Sequence, residues 1–407
     1  MNILHTSDWH IGRSLFSQKR YDEFASFLDW LREAIESQHI DILLVSGDVF
    51  DTSTPSNRAQ QLYYEFLYEV SKSCCRTVVI IGGNHDSPSF LQAPSALLNV
   101  LNVKVIGSKR ETPEEEIVIA EKDGKPLAII CAVPYLRDKD IRYAEAGETI
   151  EDKNRKLLEG IKEHYSTVCD IAKMRQSELG SDIPIIAMGH LFTQGGKTVD
   201  GDGVSELYIG SLAHVDSSVF PDYLDYVALG HLHVPQRVGG KETIRYSGSP
   251  IPMGFGEAKQ QKQVVLLHFE DTLSIEPLFV PSFYHLESIK GTMDQITSRI
   301  QFLREKGEAA YLEIEYTAPE MISDLSERCE ELVQDSNLTI LRIQNRQFIQ
   351  RVMSSMQTQE TLEDLNPEEV FTRCLDTFSV TEEERQPLRD AYHEILLEMQ
   401  EEDILAE

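Results

Sequence analysis

Several things are scarce in this chain of 407 residues. It contains no run of eighteen apolar residues, so no conventional membrane-spanning helix is expected. Its opening, MNILHTSDWH, lacks a basic segment followed by an apolar one, so no secretory leader is expected. Cysteine is sparse and scattered (Cys74, Cys75, Cys131, Cys169, Cys329 and Cys374), with no CxxC pair. That usage fits reduced thiols in a cytoplasm better than a disulfide framework. Basic residues are few: 38 Lys and Arg against 68 Asp and Glu leave −30, which argues against gripping nucleic acid by bulk charge. The deficit is uneven. From Glu360 to Glu407, sixteen acids face three arginines, a net −13. An acidic end suits solubility or a basic partner and leaves the remaining chain free to meet an anion.

What is present is a patterned core. The length suggests two or three domains, and 41% hydrophobic residues suffice to bury a sizeable interior. NILHT, DILLVSG, TVVIIGG, LAIICAV, IPIIAMG, DYVALG and QVVLLHF are short, nearly continuous apolar runs of the kind buried on both faces of a sheet. Helical spacing runs from Tyr21 to Ser37, through Phe24, Phe27, Leu28, Leu31 and Ile35. It recurs from about Ala59 to Lys72 and over residues 150–178. The charged stretch 107–125 reads as a solvated hairpin connection. The alternation predicts an α/β core over residues 1–280. Residues 281–344 read β-α-β-α-β, as a small separate α/β domain. Residues 345–407 are strand-poor and acidic, with helical patterns around Pro367–Leu375 and Glu382–Met399.

Five of the strand ends carry the same chemical vocabulary: Ser7-Asp8-Trp9-His10, Gly47-Asp48-Val49-Phe50-Asp51, Gly83-Asn84-His85-Asp86, Gly189-His190 and Gly230-His231-Leu232-His233. Four of the five place a glycine directly before the polar set, as a tight turn or a close backbone approach requires. Extended backbone would put Asp8 on one face with His10, and His231 with His233. Ligands of open α/β folds gather beyond the carboxyl ends of strands, where these groups would converge. The candidate ligands are Asp8, His10, Asp48, Asn84, His190, His231 and His233, oxygen donors mixed with imidazoles and no thiolate. That set suits Mn²⁺, Fe²⁺ or Zn²⁺ and disfavours an all-oxygen Ca²⁺ site. Seven donors exceed one closed tetrahedral ion but fit two ions sharing a carboxylate, the arrangement that clamps a phosphate and acidifies a water between the metals. Any one of these residues has an ordinary explanation as a cap, a turn or a packed histidine. Five such groups in order do not.

D-x-H, G-D-x-x-D, G-N-H-D, G-H and G-H-x-H, in this order, resemble the calcineurin-like metallophosphoesterases. ILHTSDWHIG, SGDVFDTSTPS, GGNHDS, ALGHLHVPQ and YSGSPIPM are similar, more narrowly, to nuclease subunits that work with an ABC-type ATPase in bacterial complexes. The resemblance implies a four-layer αββα core, a small α/β capping domain and a helical C-terminal tail that docks the ATPase. It implies two Mn²⁺, with Fe²⁺, Zn²⁺ or Mg²⁺ open. One metal would be held by Asp8, His10, Asp48 and His233, the other by the shared Asp48 with Asn84, His190 and His231. His85 would be catalytic, as proton donor to the leaving 3′ oxygen or as a stabiliser of charge on the phosphate. Asp86 would orient His85 or its loop. The implied activity is DNA phosphodiester hydrolysis in repair, recombination and replication, as a 3′-to-5′ double-strand exonuclease and an endonuclease on single strands and hairpins. A homodimer, a heterotetramer of two nuclease and two ATPase chains, and a cytoplasmic, nucleoid-associated setting come with it.

Other readings differ in what they need. A stand-alone metallophosphatase or cyclic-nucleotide phosphodiesterase would use the same ligands but has no need of the last 125 or so residues. A scaffold that kept metals and lost catalysis would not need His85. Asp51 stands where some relatives carry a histidine that positions DNA. Arg13, Lys19 and Arg20 suit phosphate contacts or solvated surface equally, and Trp9 is expected in the core. His5, His39, His164, His214, His268, His285 and His393 read as structural.

Overall fold

The computed structural model describes residues 1–141, 148–180, 182–197, 215–307, 309–318, 320, 322 and 324–345, with 371, 372, 375, 385–389, 391 and 392 beyond them. The helical patterns expected near Pro367–Leu375 and Glu382–Met399 therefore lie partly outside the described residues, and residues 371, 372, 375, 385–389, 391 and 392 within them are helical. The chain divides into two compact units, Met1–Tyr284 and His285–Glu407.

The first unit is built on two six-stranded sheets. Strands β1 (Asn2–Thr6), β4 (Ile42–Ser46), β5 (Thr77–Ile81) and β6 (Val103–Ile106) run parallel, with the hairpin β2 (Ser14–Leu15) and β3 (Gln18–Lys19) set apart from them. The second sheet comprises β7 (Ile117–Lys122), β8 (Lys125–Ala132), β9 (Ile185–His190), β10 (Tyr226–Gly230), β11 (Gln236–Val238) and β12 (Lys241–Tyr246). Strands β8, β9, β10 and β12 are parallel, and antiparallel β7 and β11 form its edges. β13 (Gln263–Phe269) and β14 (Leu273–Phe279) return to extend the first sheet beside β1.

The apolar runs alternate between two cores. Ile3, Ile42, Leu44, Val79 and Ile81 face Ala128, Ile130, Ile186, Met188 and Ala228 between the sheets. Their neighbours Leu4, Leu43, Val45, Val78 and Ile80 turn outward onto α1 (Tyr21–Ser37) and α2 (Asn57–Ser71). α3 (Pro88–Gln92), α4 (Ser95–Val100) and α5 (Asp138–Ile141) are short. The far face of the second sheet packs on α6 (Ile150–Leu179) through Leu157, Ile161, Tyr165 and Val168. The result is the four-layer αββα arrangement. α6 starts with a reciprocal cap between Thr149 and Asp152, and α2 starts at Ser56, whose hydroxyl accepts the Ala59 N–H.

Residues 107–125 are not all a solvated connection, because Ile117–Lys122 is an edge strand paired with β8. Glu116, just before it, is fully buried and accepts from His164 Nε2 at 2.7 Å and from the Arg110 N–H at 2.7 Å. The acid-rich flanks hid the short apolar run IVIA, whose residues alternate between half-buried and buried. Within the second unit, parallel β15 (His285–Gly291), β16 (Ala310–Tyr316) and β17 (Leu338–Asn345) alternate with α7 (Met293–Lys306) and α8 (Leu325–Val333) around Ile296, Ile300, Leu312, Ile314 and Cys329. No helix among the described residues is long and apolar enough to cross a membrane.

Candidate metal centre

The loops after β1, β4 and β5 in one sheet, with the ends of β9 and β10 in the other, bring the polar groups together. Asp8 and His10 do not share a face through extended backbone. β1 stops at Thr6, and both residues are left-handed, with φ of 52° and 48°; Asp48 is at 49° and His231 at 102°. Main-chain bonds hold this unusual path: the Asp8 and His10 N–H groups donate to the carbonyls of Gly47 and Asp48, each at 3.0 Å. Non-glycine residues in this region are strained, and such strain concentrates at functional sites. Trp9 is fully buried, edge-on to Phe27 and Phe66, as a core residue should be.

Two glycines are needed because neighbours leave no room. A Cβ on Gly83 would strike the Asp48 carboxylate and backbone nitrogen, and one on Gly230 would strike the Ser46 carbonyl. The glycine before a polar set thus lets one ligand loop lie against the next.

Among the described residues three groups of candidate donors result, the least buried being His10, Asp51 and His85. In Asp8, His10 and His233, and again in Asp48, His190 and His231, the candidate donor atoms lie within 4.8 Å of one another, and all six residues are buried. The Nε2 atoms of His10 and His233 are 3.2 Å apart. Asp48 Oδ2 reaches both clusters, 3.3 Å from His190 Nε2 and 3.6 Å from His10 Nε2. Asn84 Oδ1 lies 2.9 Å from His190 Nε2 and 3.0 Å from His231 Nδ1. His85 is half-buried beside them, its ring edge-on to His10 at 4.9 Å and its main-chain N–H donating to Asp48 Oδ1 at 2.9 Å. Asp86 does not face this group. Its carboxylate accepts the N–H groups of Gly83, Val49 and Phe50 at 2.9, 3.1 and 3.0 Å, tying two ligand loops together.

Residues that the motifs did not single out as ligands support those that they did. Ser7 Oγ donates to Asp8 Oδ2 at 2.6 Å and meets Ser247 Oγ at 2.8 Å. His10 Nδ1 lies 3.4 Å from Asp51, which accepts from Arg13 at 3.0 Å. His233 Nδ1 lies 3.4 Å from Glu257, which is paired with Lys262. His190 Nδ1 meets the Ser46 carbonyl at 2.9 Å. Glu257 and Lys262 give no signal in the sequence, since a charged GEAKQQK stretch reads as solvated loop. Arg20 is buried on Glu23 and the Pro252 carbonyl, which removes it as a phosphate contact.

The electrostatics call for cations. Burial opposes charge at both Asp48 and His190, yet each favours the other's ionised form. The Asp48 carboxyl sits well below the usual range, and the His190 imidazolium is pushed up to about 9. Burial and the facing His190 push His231 down to about 3, which keeps it a neutral imidazole suited to ligation. Its Nδ1 and His190 Nε2 both face the Asn84 amide oxygen, at 3.0 and 2.9 Å, so the three donor atoms converge as ligands of one ion would. The donor set therefore fits divalent ions.

Comparison with known proteins agrees. The calcineurin-like phosphoesterase profile matches residues 1–235, and a profile described as the type 5 capsule protein repressor C-terminal domain matches residues 282–378. The SbcD subunit of the nuclease SbcCD from Escherichia coli strain K12 is 36% identical over 398 residues, covering 96% of this chain and 97% of the relative. The protein of the same name from Bacillus subtilis strain 168 is 35% identical over 275 residues, 66% of each chain. Together with the two clusters at the strand ends, these likenesses place the chain in the calcineurin-like phosphoesterase family of divalent-metal proteins, on the branch of the SbcD nucleases.

Proposed function

We propose that this chain is a metal-dependent DNA nuclease that cleaves phosphodiesters at a two-metal centre. The observation that carries the reading is the pair of buried Asp/His clusters joined by Asp48, in a chain that aligns almost end to end with a nuclease subunit. Asp8, His10, Asp48 and His233 would hold one ion, and Asp48, Asn84, His190 and His231 the other. When bound, the pair supplies charge neutralisation at the phosphate and a nucleophile at neutral pH. Mn²⁺ is the proposed metal.

The chain's own groups do the rest. His85 Nδ1 meets the Asp51 carbonyl at 2.8 Å, which sets its N–H there and leaves Nε2 as the other ring nitrogen. Carrying a second proton on Nε2, His85 would deliver it to the leaving 3′ oxygen or steady the phosphate's developing charge. Asp86 is a positioning residue that holds the His85 and Asp48 loops together. The activities proposed are 3′-to-5′ double-strand exonuclease and single-strand and hairpin endonuclease, serving repair, recombination and replication in the cytoplasm at the nucleoid.

Its partner would be an SbcC-type ABC ATPase, in a heterotetramer of two chains of each kind with a homodimer of this one. The proposed division is a nuclease domain over 1–280, a capping domain over 281–344 and an ATPase-docking tail over 345–407. The partner would supply much of the DNA affinity that a net charge of −30 withholds.

The test is Mn²⁺-dependent cleavage of a labelled DNA hairpin, with and without the ATPase and ATP, beside a His85→Ala control. Cleavage that needs Mn²⁺ and His85 and rises with the partner is the expected result. Brisk hydrolysis of small phosphodiesters without DNA cleavage would overturn the nuclease reading while keeping the metals.

A further inference from the structure

The imidazoles of the two clusters are backed differently. In the Asp8 cluster each has a carboxylate behind Nδ1, and each carboxylate has its own cation: His10–Asp51–Arg13 and His233–Glu257–Lys262. In the Asp48 cluster neither imidazole is backed by a charge. His190 Nδ1 meets the Ser46 carbonyl, and His231, whose Nδ1 faces the proposed ligand Asn84, keeps its Nε2 without a hydrogen-bond partner.

The pair behind His233 is the more deeply set. Glu257 is 0% exposed and Lys262 is 4% exposed. Lys262 Nζ also donates to Ser249 Oγ at 2.9 Å and to the His233 carbonyl at 3.3 Å, and Glu257 accepts the Met253 N–H at 3.0 Å. Burying two charges costs more desolvation than their attraction reliably returns, so this pair is poorly explained as a stabilising device. Behind a ligand it has a direct use. A carboxylate on the far nitrogen fixes the imidazole's tautomer and makes it a stronger donor, and removing such a partner typically weakens metal binding about 10- to 100-fold. The same segment steadies Asp8 through Ser247 and Ser7.

We propose that the two metal positions are unequal: the Asp8–His10–His233 position binds its ion more tightly, and Glu257 with Lys262 makes it so. The inference rests on the two-metal reading above. Glu257 is a positioning residue acting through His233, and the Asp48–His190–His231 position is the one that exchanges.

The experiment is a Mn²⁺ titration of the metal-stripped full chain, followed by electron paramagnetic resonance and by metal analysis. The wild type is expected to fill in two steps. A mononuclear signal comes first, and a spin-coupled pair appears at Mn²⁺ concentrations at least about 10-fold higher. Glu257→Gln alone strands the Lys262 charge, so the main variant is the double Glu257→Gln/Lys262→Met. It should weaken the first step about 10- to 100-fold while leaving the second ion's ligands intact. Asp51→Asn, behind the other imidazole and nearer the surface, should shift the first step the same way by less, and gives the answer should the double variant not fold. Asn84→Ala should weaken the second step alone.

Two equal steps in the wild type, or an unchanged first step in both the double variant and Asp51→Asn, would overturn the proposal. So would loss of the first step in Asn84→Ala. Binding of fewer than two ions by the wild type would instead bring down the two-metal reading itself.

Discussion

His85 and Asp51 meet through a side chain and a main chain: the ring Nδ1 lies 2.8 Å from the Asp51 carbonyl oxygen. The Asp51 carboxylate meanwhile lies behind His10 at 3.4 Å. One residue therefore sets the orientation of the proposed proton donor and of a proposed ligand by separate atoms. Replacing its side chain should disturb only the ligand.

The contact defines what His85 can be asked to do. His85→Ala should lower kcat on DNA about 10²- to 10⁴-fold, the usual worth of a positioned acid or base. The Mn²⁺ content and KM should stay near wild type, because the ring is placed outside the proposed ligand sets. Single-turnover cleavage with metal analysis of the same preparation checks this. Parallel loss of metal would show His85 to be a ligand.

Asp48 spans both clusters, 3.3 Å from His190 and 3.6 Å from His10. Asp48→Asn should therefore reduce occupancy at both positions and abolish detectable cleavage. Replacement of His231 should empty one position only. Equilibrium dialysis with Mn²⁺ distinguishes the two, and full occupancy in Asp48→Asn would end its assignment as the shared carboxylate.

Gly83→Ala tests close approach without altering any donor. The added methyl meets the Asp48 carboxylate and main-chain nitrogen, so the β4 and β5 loops must part. Overpacking of this kind costs roughly 1–3 kcal/mol. The melting temperature should fall, and Mn²⁺ affinity should fall with it. An unchanged affinity would mean that the loops are softer than their packing implies.

Acid sensitivity should have a component far from the metals. Asp41 accepts the Asn2 N–H at 3.0 Å and Lys122 Nζ at 2.8 Å, linking the first sheet to β7 of the second. Burial opposes its ionisation, but these donors outweigh it and hold the carboxyl below its ordinary value. A lowered folded pKa stabilises the fold above the unfolded value, roughly 4. That stabilisation fades as pH falls through the folded value. With Lys122 half-exposed and screened, Asp41→Asn should cost about 1 kcal/mol at pH 7 and less at pH 3. Urea melts at the two pH values measure the difference. An equal deficit at both would remove the charge from the explanation.

The sequence makes the strands and the candidate ligands legible for the same reason. Buried parallel strands are unbroken β-branched runs, and their ends must turn sharply, so NILHT and TVVII announce both a sheet and the positions of Asp8 and Asn84. Legibility fails where composition and environment diverge. Glu116 and Glu257 are acids in charged stretches, yet the fold buries both against partners 48 and 5 residues away, His164 and Lys262. Strands next to a sheet's edge such as Lys241–Tyr246, with polar residues on one side, offer too weak an alternation to stand out. The left-handed turns at Asp8 and His10 are hidden because these side chains, unlike glycine, do not advertise positive φ.

Each cluster draws on both layers of the sandwich. Asp8 and His10 follow β1 while His233 follows β10; Asp48 follows β4 while His190 and His231 come from β9 and β10. An ion bound in either cluster thus staples one sheet to the other at their carboxyl ends. Metal at a hundred times its dissociation constant adds about 2.7 kcal/mol per independent site to the folded state. Chelation would then lower the stability of the whole sandwich, and depletion of metal in the cell would act on the lifetime of the protein as well as on its catalysis.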